Sequence, residues 1–168
     1  MKEIFLATFL AAAVATDLKW QRIPNKLIIL GCLGGLMIRT TSEGLYGAVG
    51  GMLQGLFTIA AFYIFYMIGA VGAGDVKLLS VVGLTEGVAV AGQTALYSLP
   101  AAGLMAMIFV IVKRQAFIRF YQLFSHISTC VRQKKILRYS ALEEEGYLHY
   151  ALYISIGFMA VLWRKELE

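Results

Sequence analysis

The chain contains only two aspartates, Asp17 and Asp75, 58 positions apart, and each is followed two residues later by a lysine, Lys19 and Lys77. Two carboxyl groups brought within a few ångströms cannot both ionise easily, so one keeps its proton near neutral pH. The ionised partner can then take a proton from water while the protonated one polarises a peptide carbonyl. Such a pair hydrolyses an amide with no metal, no cofactor and no nucleophilic side chain. Taken singly, each aspartate also fits a plainer role as a solvated or salt-bridged group at a helix end. Other hydrolytic chemistries lack their residues. His126 and His149 form no His-Glu-x-x-His pattern, and no Gly-x-Ser-Gly occurs. Cys32 and Cys130 stand isolated, so neither a metal site nor a disulfide is expected. Glu86, eleven positions after Asp75 and between Gly83 and Gly87, reads as a loop residue.

The elements that must position the aspartates are set by composition. Of the 168 residues, 60% are hydrophobic and 15% charged, and the mean hydropathy is +0.74. Soluble domains carry about 45–50% apolar and about 25% charged residues. The balance excludes a soluble globular enzyme, a disordered chain and a secreted disulfide scaffold. It predicts a single all-α, polytopic membrane domain over residues 1–168.

A spanning helix needs about 20 mostly apolar residues. Ile4–Thr16, extended from Met1 to Trp20, is the first run, and Leu27–Ile38 is the second, between Lys26 and Arg39. Gly44 to Gly74 is uncharged and holds a third span near Gly47–Gly69. Val76–Thr85 is a short fourth, a fifth lies near Leu96–Val112, and Gly146–Trp163 is the sixth. With the N-terminus outside, the inner loops hold 11 Lys and Arg and the outer segments 4. That asymmetry predicts a multi-pass protein of the plasma (cytoplasmic) membrane with both termini outside. It also accounts for the net charge of +5 without nucleic acid. Ala13-Val14-Ala15 looks like a signal-peptidase site, but cleavage there would leave Lys19, Arg22 and Lys26 outside, against the bias. In this topology both aspartates lie at cytoplasmic ends of membrane segments, where an ionisable group is a functional hypothesis by default. Gly72 and Gly74 flank Ala73 just before Asp75 and let the backbone bend there.

Asp17-x-x-x-x-x-Ile23-Pro24-Asn25 after the first span, with Gly72-x-Gly74-Asp75-Val76-Lys77-Leu78 before the fourth, closely resembles the type IV prepilin peptidase family. A more distant likeness is to presenilin-like Gly-x-Gly-Asp proteases. The motif-bearing part covers about residues 1–100. The resemblance implies removal of the short basic leader from prepilin-like membrane proteins (pilins, Flp-type pilins, preflagellins) at the cytoplasmic face. It makes Asp17 and Asp75 the catalytic pair. Gly72 and Gly74 would shape the approach of the scissile segment, Lys77 would orient or act electrostatically, and Lys19, Pro24 and Asn25 would support. Longer relatives carry paired CxxC motifs and also methylate the product. This chain has 16 residues before Asp17 and no CxxC, so peptidase activity alone is expected.

Two further features have more than one reading. In the basic stretch 113–147, Phe117, Phe120, Tyr121, Phe124 and Ile127 recur at helical spacing, which fits an amphipathic helix on the inner leaflet or an extension of the fifth span. The glycines at 31, 34, 35, 47, 50, 51 and 55 favour close packing within the bundle, with an oligomer as the alternative. At the functional level the rivals are a non-enzymatic component of a pilus or secretion assembly and a Gly-x-Gly-Asp protease of broader substrate range.

Overall fold

The computed structural model describes residues 1–68, 71–112 and 150–167, all helical apart from short connections. The helices are α1 (Lys2–Trp20), α2 (Asn25–Ile68), α3 (Ala73–Glu86), α4 (Val88–Val112) and α5 (Tyr150–Leu167). Expectations for the 113–147 stretch lie outside these residues. Two of the helices, α2 and α4 over Val88–Met105, are long and apolar enough to cross a membrane.

Glycine decides where the helices break. At Gly44 the backbone turns to φ 70° and ψ −164°, which divides α2 into arms 25–43 and 45–68. Gly87, at φ 115°, closes α3 by donating its N–H to the Gly83 carbonyl at 2.9 Å. Its own carbonyl accepts from Ala91 at 3.1 Å and so starts α4 at once. Helix α4, expected from the sequence as the fifth span, therefore begins at Val88, well before the Leu96 expected from the apolar run. Both conformations have a φ that an L side chain rarely adopts.

The centre of the bundle is α3, which touches all four other helices. Val76 and every residue from Leu78 to Thr85 are buried. With 14 residues it is only about 21 Å long, against the roughly 30 Å of a bilayer core. The first arm of the core is Leu6, Phe9, Leu10 and Ala13 of α1, packed with Leu78, Leu79, Val81 and Val82 of α3 and with Ile154 and Phe158 of α5.

The buried face of α2 is almost bare backbone: Gly31, Gly35, Arg39, Gly47, Gly51, Gly55 and Thr58. A Cβ at Gly55 would lie 3.1 Å from Leu84 Cβ and 3.3 Å from the Ser80 carbonyl oxygen. One at Gly35 would meet Thr85 Oγ1 at 2.5 Å. Glycine lets α2 approach α3 to backbone contact, the packing mode expected where no hydrophobic force drives helices together in lipid. Gly50 has open space around it. The opposite side of α2 exposes Leu53, Leu56, Phe57 and Ile64, as a lipid-facing surface would.

Candidate active site

Asp17 occupies the last turn of α1 and is only 6% exposed. Its carbonyl accepts the Gln21 N–H at 2.8 Å, and Gln21 takes the left-handed conformation (φ 49°, ψ 28°). The chain thus reverses directly after the aspartate. Pro24 then launches α2, its carbonyl accepting the Leu27 N–H at 3.0 Å. Proline suits this place because its fixed φ costs nothing where no N–H is needed.

Asp75 lies in the first turn of α3 and is half-buried. Gly72 is the N-cap, and its N–H donates to Asp75 Oδ2 at 3.1 Å. Asp17 is close enough to Asp75 to act on it electrostatically. A Cβ on Gly72 would come within 2.9 Å of that same Oδ2.

The segment between α1 and α2 folds onto the start of α3. A Cβ on Gly74 would lie 3.3 Å from Ile23 Cδ1. Lys77 Nζ donates to Asn25 Oδ1 at 2.9 Å. Asp17, Gly72, Gly74, Asp75, Asn25 and Lys77 therefore gather at one end of the bundle. Among the described residues Lys77 makes no ion pair with Asp75. Lys19 places its ammonium 5.0 Å from the centroid of the Trp20 ring. A cavity of about 610 Å³ lies at the opposite end, lined by Lys2, Glu3, Ser42, Glu86 and Lys165 among others. Among the described residues no three of His, Cys, Asp and Glu converge as metal ligands would.

A sequence model described as the type IV leader peptidase family matches residues 4–114, more than half of the chain and both aspartate motifs. The chain belongs to the type IV leader peptidase family. No curated protein and no solved structure matches it. Family membership makes this a leader peptidase in general terms, acting on prepilin-like substrates, and its two long apolar helices fit a membrane protein.

Two parts of this leader peptidase were not read from its sequence as site or scaffold. Ile23 is the apolar contact of the α1–α2 turn. Arg39, expected to flank the second span outside the membrane, is instead buried on the glycine face of α2 at 8% exposure. Its Nη1 donates to the Leu84 carbonyl at 3.3 Å, and its Nε faces Glu43 Oε2 at 3.6 Å. The signal for Arg39 was present: it continues the four-residue spacing of Gly31 and Gly35, which places it on their face.

Proposed function

We propose that this leader peptidase is a membrane aspartic endopeptidase that cuts the short basic leader from type IV prepilin-like precursors at the cytoplasmic membrane face. Asp17 and Asp75 form the water-activating pair. The ionised carboxylate of the pair takes a proton from water as its oxygen attacks the scissile carbonyl carbon. The protonated one gives its proton to the carbonyl oxygen. Collapse of the tetrahedral species breaks the C–N bond, and a carboxyl proton passes to the departing amine. Gly72 and Gly74 leave room for an extended substrate backbone beside Asp75. The orientation expected from the sequence, with the N-terminus outside, puts the aspartates on the side where basic leaders are retained.

The observation that supports this reading is the closure of the two motifs on each other through Ile23 against Gly74 and Lys77 to Asn25. That closure gathers a buried and a half-buried aspartate at one bundle end. The test is incubation of the detergent-solubilised protein with a peptide carrying a basic leader, a glycine and the start of an apolar helix. Product masses should place the cut after the glycine. Asp17→Asn and Asp75→Asn should each lower kcat by about a thousandfold or more, and the double variant should be no worse, as for members of one catalytic unit. Substantial turnover in either single variant would remove the aspartyl mechanism, and absence of cleavage by the unaltered protein would favour a non-enzymatic assembly role.

A further inference from the structure

The two aspartate motifs are separated in sequence by the whole of α2, so nothing local sets their spacing. The chain from Asp17 to Asn25 has three anchor points. The first is internal, the Gln21 N–H on the Asp17 carbonyl. The second and third are on α3: Ile23 against Gly74, and Asn25 Oδ1 on Lys77 Nζ at 2.9 Å. Gly74 and Lys77 are three residues apart and therefore share one face of α3. Asp75 and Lys77, two apart, point about 200° away from each other. A lysine at a membrane surface ordinarily extends its ammonium toward water and headgroups. Here it ends on the side-chain amide of the first residue of α2. That acceptor is neutral, so the bond leaves the lysine charge in place and creates no new ion pair beside the carboxyl groups.

We propose that the Lys77–Asn25 hydrogen bond is a clasp that holds the 21–25 turn, and Asp17 with it, on the N-terminal face of α3. Lys77 is then a positioning residue that sets the separation of Asp17 and Asp75. It is neither a contact for the leader nor a tuner of the proton shared by the pair. The inference rests on the aspartyl reading above. The bond is exposed and contributes little to global stability. Its leverage is geometric: Pro24 fixes one φ of the turn, Ile23 against Gly74 restricts its approach, and the clasp removes the sliding motion that remains.

The test uses the full chain in detergent, the same leader peptide, and hydrogen exchange of the amides of residues 21–23. Lys77→Met and Asn25→Leu should each lower kcat roughly ten- to a hundredfold, the scale of a misplaced catalytic group. KM and the shape of the pH–rate profile should stay unchanged, and exchange in the turn should rise. The double variant should match the singles, since the two residues act through one bond. Lys77→Arg, which keeps a donor, and the exchanged pair Asn25→Lys with Lys77→Asn should recover most of the lost rate. A shifted limb of the pH profile in Lys77→Met would overturn the clasp in favour of a direct electrostatic role. A raised KM would overturn it in favour of leader binding. Unchanged exchange together with unchanged kcat would overturn it whatever the aspartates do. If Asp17→Asn remains active while exchange still rises in Lys77→Met, the aspartyl reading falls and the clasp stands.

Discussion

Gly72 does two things to Asp75, and only one of them needs glycine. Its N–H donates to Asp75 Oδ2, which any residue but proline can do. Its φ of −75° and ψ of 155° are also open to alanine. The missing Cβ is what leaves space, since one would come within 2.9 Å of the carboxylate oxygen. Gly72→Ala should therefore cost no more than about 1 kcal/mol of stability, the scale of an N-cap change, while lowering kcat, as the carboxyl group is displaced. Melting in detergent beside peptide turnover separates the two effects. Gly157 is the converse case. A Cβ there would run into the Thr94 carbonyl oxygen and lie 2.9 Å from the Ser98 nitrogen. Backbone cannot swing aside as a side chain does, so α4 and α5 must separate. Gly157→Ala should cost about 1–3 kcal/mol of stability, with the residual folded protein keeping its KM. At this scale Asp17 and Asp75 were legible from their rarity and their motifs. Ile23 was legible as a motif position but not as a contact, because its spacing from Asp17 does not say which residue of α3 it meets.

At the scale of elements, the shortness of α3 creates a need that Arg39 meets. A helix of about 21 Å cannot reach both faces of a roughly 30 Å core. Leu84, near its end, is buried, and an unpaired carbonyl there costs about 1–3 kcal/mol. Gly51 and Gly55 bring α2 up against that end of α3, and the Arg39 guanidinium supplies a donor to the Leu84 carbonyl. Arg39→Met should leave the Leu84 carbonyl orphaned and lower stability by about 1–3 kcal/mol, where Thr40→Ala on the exposed side should have little effect. Thermal unfolding in one detergent compares them. Removing one member is the informative change, because replacing a whole buried polar set by apolar residues can be neutral.

At the scale of the whole molecule, the two bundle ends differ in chemistry. One holds the aspartates and the 21–25 turn. The other is tied by ion pairs: Lys2 with Glu43, Lys165 with Glu3 at 2.6 Å, and Lys165 with Glu86 at 3.9 Å. Glu43, at the α2 kink and outside the spans expected from the sequence, is held below its ordinary value of 4.5, first by the hydrogen bond from Lys2. A lowered carboxyl pKa stabilises the fold above the unfolded value, and that contribution is lost as pH falls through the folded value. Stability should therefore decline as pH drops below about 4.5, and Glu43→Gln should flatten that part of the curve. Orientation has its own test in a background of Cys32→Ser and Cys130→Ser. A cysteine at Gln21 should react with an impermeant reagent only from the cytoplasmic side, and one at Thr41 only from outside. Outside labelling at Gln21 would reverse the topology and put the aspartates on the wrong face for an unprocessed leader.

Composition and long apolar runs by themselves pointed to helices suited to lipid, since 60% hydrophobic residues exceed the share an ordinary soluble domain carries. Motif spacing determined the family, because the Ile23-Pro24-Asn25 turn and the Gly72-to-Leu78 start of α3 are local patterns. Helix boundaries were partly legible: glycine marks a possible break, but Gly44 and Gly87 became breaks while Gly51 and Gly55 stayed helical under close packing. The spacing of Gly31, Gly35 and Arg39 set Arg39 on the glycine face, but only tertiary structure supplied the Leu84 carbonyl that the buried guanidinium meets. Tertiary structure alone decided that Lys77 reaches Asn25. Those residues are separated by the length of α2, and only the packing of α2 along α3 brings them to one hydrogen bond.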